Sequence, residues 1–312
     1  MNLEDNIKGL IFGQAIGDAL GLASEFMTRE EVLQDYPNGI NSYDDIINDR
    51  HRSIWQKGAW TDDTDQMLCI LDSIVRHREI NLVDISERFV NWKKTNGRGI
   101  GRHTLNVLSI GDYTKDPFKV SELVWTMSRK QSAANGAIMR TSILGAWDYS
   151  NWENIRENIE NVCRLTHYDP RCVGSSVIVT YLIHCCLNGK AISENELIDI
   201  GNKYDERIAE YIELAFQNDI ERLKLDEQGK LGYTLKTMSA ALWAFNHAVD
   251  FQSGLKSVIE QGGDADTNGA VTGALLGLKF GFDRIPKDLV DNLVGKEELM
   301  KKSELFIESL AL

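Results

Sequence analysis

Proline is scarce in this sequence, with only four in 312 residues. Pro37, Pro117, Pro170 and Pro286 each fall in a stretch that reads as a connection, so proline interrupts almost no helical pattern. The five cysteines include no C-x-x-C pair, and Cys185 and Cys186 are adjacent inside the apolar run 177–187. That excludes a zinc site and a disulfide framework and points to buried thiols. Clusters of Lys and Arg are missing, and the net charge of -13 argues against a nucleic-acid partner, because phosphate contacts need concentrated positive charge. Such an acidic excess invites bound cations. The acidic start Met1-Asn2-Leu3-Glu4-Asp5 lacks the basic region of a secretory signal, and the expected location is cytoplasmic. The apolar stretch that follows contains Lys8, Gln14 and Asp18, and the later one contains His184, so neither reads as a membrane span and no membrane partner is expected.

Alternating β-type runs are also scarce, and no Pro/Ser linker, low-complexity tract or abrupt charge change marks a domain boundary. What is present is helical spacing. Apolar residues recur three and four apart in 85–92, 152–165, 194–200, 208–216 and 234–245, which predicts an all-α fold. With 43% apolar and 26% charged residues, the chain has ample material for a core, and disorder is not expected.

Glycine carries the most informative pattern. Gly9, Gly13, Gly17 and Gly21 recur every fourth residue, and so do Gly269, Gly273, Gly277 and Gly281. A glycine inside a helix costs about 1 kcal/mol relative to alanine, so two such stripes need compensation. Residues four apart share a helix face, and a glycine face lets another backbone approach closely. Two central helices packed against each other are predicted, which joins the two ends of the sequence in one domain over residues 1–312.

Two short motifs stand at predicted helix starts. Trp60-Thr61-Asp62-Asp63-Thr64 precedes the pattern 67–75, and Gly263-Asp264-Ala265-Asp266-Thr267 precedes the second glycine stripe. Helix capping accounts for one carboxylate at each start but not readily for two. Four carboxylates and two hydroxyls form a hard-oxygen set suited to Mg, Mn or Ca, and the pairing favours two cations over one. Asp264-Ala265-Asp266-Thr267-Asn268-Gly269 also matches the first half of a calcium EF-hand loop, but Leu275 stands where that loop needs a bidentate Glu.

In order along the chain, the runs Gly17-Asp18-Ala19-Leu20-Gly21 with Glu25-Phe26-Met27, Trp60 to Thr64, Asn135-Gly136-Ala137-Ile138-Met139-Arg140, Thr166-His167, Gly232-Tyr233-Thr234 and Gly262 to Asn268 resemble the ADP-ribosylglycohydrolase family. That family includes the hydrolase that removes ADP-ribose from dinitrogenase reductase. The resemblance implies a compact orthogonal helical bundle with a binuclear magnesium or manganese site in a cleft for ADP-ribose. By the same resemblance the metal ligands are Thr61, Asp62, Asp63, Asp264, Asp266 and Thr267. Glu25, Asp62 and Asp264 are the catalytic candidates, and Asn135, Gly136, His167 and Tyr233 the candidate substrate contacts. The implied activity is metal-dependent hydrolysis of ADP-ribose from modified protein side chains, the N-glycosidic bond to arginine first, with ADP-ribose as product. Serine-linked ADP-ribose, ADP-ribosylated nucleic acid, O-acetyl-ADP-ribose and a non-catalytic ADP-ribose binder are the alternatives. One departure stands out: in a D-x-G-x-x-T pattern of many relatives, the place of the acid is taken here by Gly99.

Overall fold

The computed structural model describes residues 2–310. It is all-α, as the spacing predicts. The first part of the chain forms α1 (Leu3–Gly21), α2 (Arg29–Asp35), α3 (Asp62–His77) and α4 (Leu82–Thr95). The middle forms α5 (Arg102–Leu108), α6 (Pro117–Met127), α7 (Ser142–Ala146), α8 (Trp152–Arg164) and α9 (Pro170–Leu187). The last part forms α10 (Glu194–Gly201), α11 (Arg207–Phe216), α12 (Thr234–His247), α13 (Phe251–Ile259), α14 (Ala265–Phe280), α15 (Lys287–Asp291) and α16 (Lys296–Leu310). Among the described residues there is no strand; one isolated antiparallel bridge joins Ala134 to Tyr233.

Helix starts follow local chemistry. Asn2, Asn81, Asn151, Ser193 and Asp250 accept a backbone N–H at the first turns of α1, α4, α8, α10 and α13. Pro117 and Pro170 do not merely stand between helices. Each opens one, behind Asp116 and Asp169 as caps, where a missing N–H costs nothing.

The centre is α1 against α14. Every residue from Gly9 to Gly21 and from Ala265 to Leu278 is buried, so over these spans neither helix has a solvent face. A side chain at Gly9 would overlap the Gly277 carbonyl, one at Gly13 that of Gly273, one at Gly17 that of Gly269, and one at Gly21 that of Ala265. The pairing runs in opposite directions along the two helices, so they are antiparallel and their backbones touch. Gly281 is the exception among the eight. It ends α14 with φ +88° and faces Asp5 instead of α1.

Two expectations need adjustment. The helix α9 is long and apolar enough, at 18 residues and a mean hydropathy of 1.3, to satisfy the criteria for a membrane span despite His184. It is nevertheless largely buried in the fold, packed by α7, α8 and α12. Of the five free cysteines, Cys163, Cys172 and Cys185 are buried, whereas Cys69 and Cys186 are only partly so.

Candidate metal centre and cleft

The antiparallel pairing brings the last turn of α1 beside the first turn of α14, and the start of α3 meets both. Asp18, fully buried in α1, accepts from the Thr61 N–H at 2.9 Å, the Thr64 N–H at 3.0 Å and the Thr64 hydroxyl at 2.6 Å. It therefore caps α3 from a neighbouring helix. Neither Thr61 nor Asp264, the residues preceding α3 and α14, caps its own helix with its side chain. Capping consequently leaves most of the motif carboxylates without an explanation.

Those carboxylates converge. Oxygens of Asp18, Asp63 and Asp266 lie within 4.8 Å of one another, and so do those of Glu25, Asp264 and Asp266. The two groups share Asp266, an arrangement that fits two adjacent cation positions with a bridging ligand. The Thr61 hydroxyl stands 3.5 Å from Asp266 Oδ2, and the Thr267 hydroxyl 3.4 Å from Asp63 Oδ1. Asp62 belongs to neither group and stands at the edge, its Oδ2 accepting from the Gln66 side-chain amide at 2.9 Å.

Among the described residues no Lys or Arg forms an ion pair with these aspartates, and His51 alone pairs with Glu25. Burial first, and then the neighbouring acids, raise Asp62, Asp63 and Asp266 well above the usual carboxylate range. Burial also pushes Asp18 up to about 7 and Asp264 up to about 6. Asp63 Oδ2 is buried with no hydrogen-bond partner. An orphaned carboxylate oxygen among all-oxygen donors fits a hard divalent cation, and the positive ends of α3 and α14 add a smaller favourable field.

A prediction about stability follows. A carboxyl whose pKa rises on folding favours the folded state in acid, and this contribution is lost as pH climbs from about 4 through its folded pKa. With Asp264 near 6 and Asp18 near 7, the metal-free protein should melt roughly 5 °C lower at pH 8 than at pH 5. Added Mn or Mg should restore the melting temperature at pH 8 and do little at pH 5. Differential scanning fluorimetry after chelation checks this, and a melting curve indifferent to cations at pH 8 would contradict it.

Glu25 lies in the turn after α1, its carboxylate Oε2 at 2.6 Å from His51 Nε2. The buried Arg52 guanidinium ties this turn down through the carbonyls of Leu22, Ala23 and Glu25 at 3.0, 2.8 and 2.8 Å. Phe26, at φ +63°, donates its N–H to Gly263 at 2.6 Å, and Gly263 donates back to Met27 at 2.8 Å. The glutamate turn and the second aspartate motif are thus one laced unit.

Above the acids opens a cleft of about 1100 Å³, into which Glu25, Asp62, Asp63, Asp264, Asp266, Asn135, Gly136 and His167 face. Asn135 does not cap a helix with its side chain; its amide donates to Asp264 Oδ2 at 2.6 Å and to the Thr237 hydroxyl at 3.0 Å. Gly136 is packed so closely that a Cβ would come within 3.0 Å of both His167 Nε2 and the Thr104 hydroxyl. Tyr233 is not among the residues lining this cleft. It faces an adjoining depression with Arg171, Arg207 and Tyr211, separated from the acids by the Ala134–Tyr233 bridge. Gly99 has a physical reason to be glycine: its φ is +87°, and a Cβ there would come within 2.7 Å of Asp62 Oδ1. In this backbone an acidic side chain has no room beside Asp62.

Sequence reasoning assigned no role to several residues that hold the site together. Gln66 and Arg140 support Asp62 from below, and His51 and Arg52 support the glutamate turn. Arg140 left a trace, since an arginine directly after Ile138-Met139 in an apolar run suggests a buried, paired charge. His51 and Arg52 sit in an irregular segment and left none.

A family model described as ADP-ribosylglycohydrolase matches residues 1–311. The chain belongs to the ADP-ribosylglycohydrolase family. It is 25% identical to "ADP-ribosylarginine hydrolase Tri1" of Serratia proteamaculans over 96% of this chain and 78% of that one. It is 26% identical to the "ADP-ribosyl-[dinitrogen reductase] glycohydrolase" of Rhodospirillum rubrum, over 95% of this chain and 93% of that relative. A solved structure titled "ADP-ribosylglycohydrolase-related protein complex" superposes with a TM-score of 0.78 at 24% identity, covering 98% of both chains, and so shares the fold. Membership in this ADP-ribosylglycohydrolase family covers both aspartate motifs, the glutamate turn and the cleft wall together.

Proposed function

We propose that this chain is a divalent-cation-dependent hydrolase that releases ADP-ribose from modified protein side chains, and that the N-glycosidic bond to arginine is its first substrate. The observation that carries the reading is the convergence of Glu25, Asp63, Asp264 and Asp266 at the floor of one cleft. The family and the names of two relatives, an ADP-ribosylarginine hydrolase and a dinitrogen reductase glycohydrolase, support the linkage.

Magnesium or manganese held by Thr61, Asp62, Asp63, Asp264, Asp266 and Thr267 would supply positive charge that binds sugar hydroxyls and lowers the pKa of water. Asn135 keeps Asp264 turned toward the cleft, and Gln66 does the same for Asp62. Glu25, held by His51 through Oε2, has a carboxylate oxygen in the cluster and takes the proton of the attacking water. As the glycosidic bond breaks, its electron pair leaves on the guanidino nitrogen, which receives the proton held by Glu25, while the sugar carbon gains oxocarbenium character that the surrounding carboxylates stabilise. Asn135, Gly136 and His167 hold the remainder of the ADP-ribosyl group along the wall. Tyr233, set in the adjoining depression, can meet only a ligand that extends past the Ala134–Gly232 rim.

The test measures free ADP-ribose released from arginine-linked and serine-linked ADP-ribosyl proteins, with Mg, with Mn and with chelator. Release from the arginine-linked protein, at least about 100-fold faster with cation than with chelator, is expected. Release only from the serine-linked protein would reassign the linkage. Cation-dependent binding of ADP-ribose without release from either would mark a binder in place of an enzyme.

A further inference from the structure

Outside the acidic cluster, a run of hydrogen bonds admits one assignment of protons that leaves no buried hydroxyl unsatisfied. Arg140 is fully buried over the Phe89 ring, 4.3 Å from its centroid. Its Nη1 donates to Gln66 Oε1 at 2.6 Å and its Nη2 to the Thr166 hydroxyl oxygen at 2.5 Å. A guanidinium only donates, so both partners must accept. Gln66, its carbonyl oxygen thus engaged, must turn its amide nitrogen to Asp62.

Thr166 is buried, and its hydroxyl has one further partner, His167 Nδ1 at 2.7 Å. With Arg140 donating to the oxygen, the hydroxyl proton goes to Nδ1. Were Nδ1 the donor instead, that proton would be buried without an acceptor, which is costly. Burial, together with the neighbouring His103 and Arg140, holds the His167 ring well below the usual histidine range and therefore neutral. A neutral ring that accepts at Nδ1 carries its proton on Nε2. His167 Nε2 is buried behind Gly136 with no partner within the protein, and the residue lines the cleft. His103 obeys the same logic: its Nε2 faces the acceptor-only Thr166 carbonyl at 2.9 Å, so its Nδ1 accepts from the Ser132 hydroxyl at 2.8 Å.

We propose that Arg140 is a positioning residue which, through the Thr166 hydroxyl, locks His167 as the Nε2–H tautomer and so presents a fixed N–H donor to an acceptor oxygen of the bound ADP-ribosyl group. The ligand in this statement rests on the function proposed above; the tautomer does not. The same guanidinium also fixes the orientation of Gln66, so one buried charge aligns the cleft wall and the edge of the acidic cluster together.

The experiment reads the imidazole ¹⁵N shifts of the full chain, with His167 assigned by His167→Gln, beside ADP-ribose titrations in Mg. Wild type should show a bare Nδ1 and a protonated Nε2 for His167. Thr166→Val removes the hydroxyl and keeps the shape. It should mix the tautomers, weaken ADP-ribose binding about tenfold and raise KM in proportion, with kcat within about threefold. Thr166→Ser should restore all of these to within about twofold. Arg140→Met should reproduce the ring shifts of Thr166→Val; if it does not fold, the Thr166 pair decides. A proton found on Nδ1 in wild type, or unchanged ring shifts in Thr166→Val, overturns the assignment. If no variant binds ADP-ribose while the ring shifts behave as stated, the lock stands and the proposed ligand falls.

Discussion

Asp266→Asn is expected to lower ADP-ribose release by at least about 100-fold and, in the absence of cations, to raise the melting temperature. The two effects have one origin. Asp266 is shared by both groups of converging carboxylates, so its loss removes a ligand from each. Burial and the charges of Glu25, Asp63, Asp264 and Asp18 all oppose its ionisation, so a neutral amide removes at pH 8 a cost that cations or protons otherwise offset. Wild type should gain stability on adding Mn at pH 8, and the variant should gain little. A variant that kept its activity, or that was less stable than wild type without metal, would show that Asp266 serves the fold instead of a cation.

Gly13→Leu should prevent folding, at a cost of about 4 kcal/mol or more. Most core substitutions press on side chains that can rotate away. Here the obstacle is the Gly273 carbonyl of α14, which can yield only if the two central helices separate along their length. Gly111→Ala makes the control: it faces open space and should change stability by less than about 0.5 kcal/mol. Urea denaturation of both variants provides the comparison. A Gly13→Leu protein unfolding at the wild-type midpoint would mean that α1 and α14 are not held backbone to backbone.

These two experiments probe the parts that were plainest in the sequence. A four-residue glycine repeat has one structural use in a helix, and doubled acids at a helix start exceed what capping needs, so both patterns carried their meaning locally. Asp18 did not. Its role depends on Thr61 and Thr64, which are remote in sequence, and only the approach of α3 to α1 turns an isolated helical aspartate into a cap. His51 and Arg52 were hidden for the same reason, since their partners are Glu25 and the carbonyls of the preceding turn. Tyr233 shows the opposite case. The motif around it was visible, but the Ala134–Tyr233 bridge that turns it toward the neighbouring depression is a pairing between distant segments.

The α1–α14 pairing also sets a timetable. Asn6 donates to the Leu278 carbonyl across 272 positions of sequence, so the two central helices lie near opposite ends of the chain. At a synthesis rate of about 5–20 residues per second, α1 emerges tens of seconds before its partner. Through that interval its glycine face has nothing to pack against, and Glu25 and Asp63 wait for Asp264 and Asp266. The nascent chain can therefore neither assemble the acidic floor nor cover the glycine face of α1 until α14 has been made. Pairing across so long a loop is slow, and until it forms the apolar face of α1 is open to aggregation.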